Sequence, residues 1–319
     1  MTTPNVITGI VATFALLLAY ELRPRLGSFR KRHDARFRAD APVLFDLLDQ
    51  VAAEVGARPA HAVIADGRWN ASYASVGWWR RRVVTLGLPL WDALSPDQKV
   101  ALLGHEFAHG VNGDARHGVV VGTSLASLAR LYELLYPDPM QRARMRARRG
   151  GGTTEQAGEP VQALLRGVIA SLFKAEQLIS LRASQRAEYL ADAIGARIAS
   201  PASMAGALDV IMTGHATYEF VIEQRAKRQW HPGRRNADGP ELWHELRSAF
   251  EDLPENERER RRRVNKYALL QVTETHPPTH LRISVLRGLP PGGASVSLTA
   301  AQEEKIRGEL AADYTRIGK

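Results

Sequence analysis

Cysteine is absent from all 319 residues. Its absence excludes disulfides and thiol catalysis, and leaves any metal site to histidine and carboxylate ligands. It fits a reducing compartment, although extracytoplasmic proteins can also lack cysteine. Long apolar runs are scarce too. The best is Val6 to Tyr20, fifteen residues without a charge between Asn5 and Glu21, whereas a bilayer span takes ~20 residues and at least ~17. The first five residues carry no Lys or Arg, and no A-x-A-like site follows the run, which argues against a cleaved signal peptide. With flanking residues and snorkelling arginines completing it, residues 1–22 are expected to form an uncleaved membrane anchor. A signal peptide and a buried or interfacial helix are the alternatives.

Acidic residues are in deficit, 34 Asp+Glu against 43 Lys+Arg, for a formal charge of +9. Arginine outnumbers lysine and clusters at Arg23 to Arg38, Arg142 to Arg149 and Arg258 to Arg263. A basic balance alone suits nucleic acid, anionic lipid or plain solubility. The first cluster directly follows the apolar run, so the positive-inside rule keeps that side cytoplasmic. The expectation is a single-pass cell-membrane protein whose catalytic domain faces the cytoplasm, touching the membrane through residues 6–20. Charged residues make up 24% and hydrophobic ones 45%, ordinary for a globular chain long enough for one catalytic domain with appendages.

Ser95-Pro96-Asp97-Gln98 is a helix start: Ser95 caps, Pro96 suits the first helical position, and Gln98 completes a capping box. KVALLGHEFAHGVNG follows, with Val100, Leu103 and Phe107 as a buried stripe and Gly110 or Gly113 as helix ends. His105 and His109, four residues apart, project from one face and can reach one zinc. Glu106 is offset enough to touch a zinc-bound water without replacing it, so it is the candidate general base. That is the mechanism attached to H-E-x-x-H on a helix.

A catalytic zinc usually takes three protein ligands. SQRAEYLADAIGARI reads as a second helix, in which small Ala191 and Gly195 allow close packing. Glu188 and Asp192 share one face. Glu188 is the candidate third ligand, and Asp192 would hydrogen-bond a ligating histidine and fix its tautomer. A solvated acidic face is what such a pair means in isolation; the preceding HExxH favours the metal.

These residues resemble the HtpX and CAAX-prenyl-protease group of membrane-associated zinc metallopeptidases (metallopeptidase family forty-eight), within the gluzincins. Four features match in order over about residues 60 to 290: Asn70-Ala71 before the strand-like Val83 to Leu86; HEFAHGVNGD at 105 to 114; Glu188 and Asp192 in ExxxD; and THPPTHLRI with His276-Pro277-Pro278 and Arg282-Ile283. The resemblance implies Glu188 as third ligand, Asp192 as partner of a zinc histidine, His276 near the site and Arg282 holding the closing segment. His276 reads either as a donor to a developing oxyanion or as part of a rigid turn before proline.

Departures from that group are equally legible. Its members carry further membrane spans, but Val119 to Tyr136 is interrupted by Arg130 and Glu133, and Val161 to Ser180 by Arg166, Lys174 and Glu176. Both read as amphipathic helices, with a membrane-touching hairpin as the alternative. Arg142 to Gly158 reads as a mobile loop, and without a recognised module no nucleic-acid partner is expected. Ala216 to Arg263 is an inserted block, either a lid over the cleft or a layer on the scaffold's outer face. Trp78-Trp79 precede Arg81 to Leu86, expected to be an edge to which substrate adds as a strand. Thr299 to Arg316 reads as a closing helix with a T-x-x-Q cap.

The expected architecture is mainly α (α+β): an anchor at 1–22, a basic juxtamembrane segment and helix at 23–58, and a gluzincin-like domain with a small β element at 59–319. That domain includes the loop at 142–159 and the block at 216–263. One Zn2+ per chain and a protein or peptide substrate complete the expectation. A zinc-bearing scaffold with latent activity is the second reading, and a membrane-tethered nucleic-acid binder the third. No substrate-binding residue and no oligomeric state are legible.

Overall fold

Val83, Val84 and Thr85 are β-branched and favour extended backbone, and they sit in a central strand. The computed structural model describes residues 34–76, 79–111, 129, 159–229, 239–268 and 277–319. Its sheet has four strands, β1 (Ala35–Arg36), β2 (Ala62–Asp66), β3 (Ala71–Val76) and β4 (Arg81–Gly87), in the order β1-β2-β4-β3. β4 runs parallel to β2 and antiparallel to β3, with Val84 opposite both Val63 and Tyr73. The expectation that Arg81 to Leu86 is a free edge is therefore corrected. β4 is hydrogen-bonded on both sides, because β3 folds back on it through a turn in which Arg80 takes a left-handed φ of 47°. Among the described residues the edges are the two-residue β1 and the longer β3.

Ten helices are described. α1 (Pro42–Val55), α2 (Leu88–Ala93), α3 (Pro96–Val111), α4 (Glu159–Ile198), α5 (Pro201–Gln229), α6 (Gly239–Glu251), α7 (Glu255–Ala268), α8 (Thr279–Arg287), α9 (Ala300–Glu309) and α10 (Ala311–Gly318) follow in chain order. α3 starts as its sequence dictates: Gln98 N–H donates to Ser95 Oγ (3.4 Å) and Ser95 N–H to Gln98 Oε1 (3.0 Å). Val100, Leu103 and Phe107 are fully buried in the main core with Leu44, Phe45 and Leu48 of α1. α1 has no capping side chain of its own. The carboxylate of Glu309, in α9, accepts the Val43 and Leu44 N–H groups instead, satisfying orphan donors of the first turn.

The chain divides into two units. The first is Met1–Leu26 with Arg116–Ala183, and the second Gly27–Ala115 with Ser184–Lys319. Of the first, residue 129 and the α4 residues Glu159–Ala183 are described; the anchor at 6–20, nearly all of the 119–136 segment and the 142–158 loop lie outside the described residues. No described helix is long and apolar enough to cross a membrane, and that includes the 161–180 segment of α4.

Within the second unit, α6 packs against α2, α5 and α10. Trp243 donates its indole N–H to the Tyr314 carbonyl (2.9 Å), and Leu242 and Leu246 are buried beside it. This half of the 216–263 block contributes Leu242, Trp243 and Leu246 to the main core. Its other half, α7, rests on α5 and α8, and its arginines are tied down. Arg262 grips Asp209 with two bonds and Arg261 reaches Glu257 and the Thr213 carbonyl, while Arg260 and Arg263 pair with Glu257 and Glu259. Such an ion-pair lattice stabilises a helix and offers few free cations to a polyanion. The closing helix is also two, not one. It breaks at fully buried Leu310 (φ −94°, ψ 5°), which turns α10 so that Asp313 meets Arg36 at 2.7 Å.

Candidate active site

Two small residues let α3 and α4 cross closely. A Cβ on Gly195 would lie 2.7 Å from the Ala101 carbonyl and 2.9 Å from Met204 Sδ, and one on Gly104 would lie 3.1 Å from Gly195 Cα. With Ala191 fully buried beside them, the helix carrying Glu188 and Asp192 approaches the helix carrying the two histidines.

His105 Nε2 and His109 Nε2 are 3.0 Å apart, and they lie 3.6 and 3.5 Å from the Glu188 carboxylate oxygens. All three ligand atoms fall within 4.8 Å of one another. Donor atoms ~2.0–2.1 Å from a tetrahedral zinc would be ~3.3 Å apart, so the observed separations bracket what such an ion needs. Two imidazoles and one carboxylate, with no thiol in the chain, make a donor set that leaves a fourth position open.

Asp192 Oδ1 lies 2.9 Å from His105 Nδ1, which directs that ring's other nitrogen to the cluster. Burial pushes the His105 imidazole below its ordinary pKa, against the opposing pull of Asp192. Arg282 comes from α8 and joins both carboxylates. Nε and Nη2 donate to Asp192 at 2.7 and 2.6 Å, and Nη1 lies 3.0 Å from Glu188 Oε2. All three residues are under 7% exposed. Burial alone would raise the Asp192 carboxyl; the hydrogen bonds from Arg282 and His105 hold it below its usual range. Expected as a holder of the closing segment, Arg282 thus reaches the ligand cluster directly.

Glu106 lies one residue on. Burial first, then the charge of Glu188, pushes its carboxyl up to about 8, while a hydrogen bond from the Tyr73 backbone and the charge of Arg282 pull the other way. Tyr73 was not legible as a site residue. It sits on β3 opposite Val84, and Asn70 accepts a bond from Gly87 across the ladder, so alternation turns the Tyr73 backbone to the open edge. Its ring lies tilted at 35° with its centroid 4.6 Å from that of Phe107, over Gly110, where a Cβ would lie 2.3 Å from the ring. The only advance signal was a strand ahead of the HExxH helix with a glycine one position after its second histidine. His276 lies outside the described residues; Pro277 beside it is buried.

A mainly helical domain with a small sheet, two helix-borne histidines and a facing glutamate together define a metallopeptidase. The chain belongs to peptidase family M48, which matches residues 39–289, and it is a metalloprotease, a hydrolase of peptide bonds. A protein named Protease HtpX homolog from Pyrobaculum calidifontis is 27% identical over 296 residues, 91% of this chain and 79% of the relative. Protease HtpX of Pseudomonas putida (strain W619) is 29% identical over 156 residues, about half of each chain at 49% and 48%. A Protease HtpX homolog from Syntrophobacter fumaroxidans is 30% identical over 182 residues, 56% of this chain and 61% of its own. No solved structure matches the chain.

Proposed function

We propose that this metalloprotease is a membrane-anchored zinc endopeptidase acting on unfolded or membrane-proximal proteins. His105, His109 and Glu188 hold one zinc, and Glu106 is the general base. The observation that carries this reading is the convergence of three ligand atoms within 4.8 Å, directly beside half-buried Glu106. A zinc ion held there would polarise a peptide carbonyl and acidify a water. Glu106 would take up the attacking water's proton on its carboxylate and return it to the leaving amine. Asp192 and Arg282 keep the His105 ring and the Glu188 carboxylate aimed. The anchor is residues 6–20, and the arginines after it keep the catalytic domain cytoplasmic.

The reading is tested by cleavage of casein by the zinc-loaded chain beside a chelated sample. Cleavage that stops on chelation and returns with one zinc per chain supports it. One zinc bound with no cleavage supports the scaffold reading instead.

Substrate is read as an added strand on β3, whose Tyr73 and Ser75 backbones face the open edge beside Glu106. Ser75→Pro removes one outward N–H without breaking the ladder, and is expected to raise KM several-fold with kcat little changed. An unaltered KM for a peptide substrate would dismiss the added strand.

A further inference from the structure

The β3–β4 hairpin carries a feature that peptide hydrolysis does not use. At its tip, Trp79 is 83% exposed, the most exposed large apolar side chain among the described residues. Arg80, Arg81 and Arg82 follow it, the first two exposed. No carboxylate occurs between Asp66 and Asp92, so the whole hairpin carries charge of one sign. Arg82 donates Nε to the Pro59 carbonyl at 3.0 Å, stiffening the hairpin's base. The positive field is felt locally: burial lowers the His61 imidazole first, and Arg81 and Arg82 lower it further.

An indole so exposed is not spent on packing against the described residues. Its ring is amphipathic, and tryptophan concentrates at headgroup depth in bilayers. Consecutive arginines complement phosphate headgroups. We propose that the hairpin tip docks on an anionic bilayer surface, with Trp79 at headgroup depth and Arg80 and Arg81 against lipid phosphates. This contact is separate from the anchor at residues 6–20 and does not depend on the peptidase reading.

The cysteine-free chain permits a single label. Full-length W79C carrying an NBD fluorophore is mixed with vesicles of phosphatidylcholine, with or without phosphatidylglycerol. On the anionic vesicles the emission is expected to shift blue, to be quenched by lipids spin-labelled near the headgroup, and to revert in high salt. Because the readout is the depth of the tip, it holds whether or not the rest of the chain is anchored. R80Q and R81Q are each expected to lower the docked-to-free ratio of the tip about fivefold, the equivalent of ~1 kcal/mol per arginine.

Emission that stays water-like on both vesicles overturns the proposal, as does an equal shift on both. A shift produced by casein without lipid makes the tip a substrate contact. One produced by raising protein concentration makes it a contact between copies. The same shift from a label at K305C, on α9, means general adsorption. Each of these outcomes removes the docking tip.

Discussion

Glu106→Gln is expected to lower casein cleavage by about 10²- to 10⁴-fold while leaving metal binding at one ion per chain. Gln keeps the shape and the acceptor for the Tyr73 N–H but cannot take up a proton. The carboxylate is neither a member of the ligand cluster nor exposed. It sits between the cluster and the open edge of β3, where burial and the charge of Glu188 raise its proton affinity and the Tyr73 bond and Arg282 restrain it. Activity and metal stoichiometry therefore separate in this variant. Equal loss of both would mean that Glu106 maintains the site and does not act in the reaction. Full retention of activity would remove it as the base.

Arg282→Met is expected to cost about 3–5 kcal/mol of folding stability, the range for removing one partner of a buried ion pair. Methionine fills much of the volume, so the loss reports charge more than cavity. Asp192 and Glu188 are both almost fully buried and share this one guanidinium, at 2.6–3.0 Å. Without it, two carboxylates face each other in a poorly solvated site, and one must take up a proton or the helices must part. Urea unfolding of the metal-free chain measures the stability. Metal competition measures the second consequence, a fall of about 10- to 100-fold in affinity as Asp192 and Glu188 lose their orientation. Arg282→Lys keeps the charge without the fork that bonds both carboxylates, so it should recover part of the stability and less of the affinity. Stability within ~0.5 kcal/mol of the parent, the scatter of an ordinary surface substitution, would mean that Arg282 is not the counter-charge.

What the sequence made legible was local. The α3 start follows from Ser95, Pro96 and Gln98, and its buried stripe from the spacing of Val100, Leu103 and Phe107, because capping and period are properties of consecutive residues. The i, i+4 pairs His105/His109 and Glu188/Asp192 were visible for the same reason. The Thr299–Gln302 capping box is present as written. Less local features were misread. Arg81 to Leu86 has an edge strand's composition, yet β3 covers it. The closing helix breaks at Leu310, where the demand for Asp313 to meet Arg36 lies 277 residues away in the chain. Which carboxylates hold the arginines of α7 was not legible either: Asp209 of α5 takes Arg262, and Glu257 and Glu259 take its neighbours.

By itself, the sequence determined the chemistry available. It holds two imidazoles and a carboxylate on one helix, an acidic pair on another, and no thiol to compete. Only the tertiary structure decided that these meet. Gly104, Gly195 and Ala191 give the two helices so little side-chain bulk that they cross in near-backbone contact, and Arg282 supplies the charge that holds the Asp192 carboxyl below its usual range there. Tyr73 enters the site through its backbone alone. The sheet register assigns that role, because any residue except proline at that point of β3 presents the same N–H.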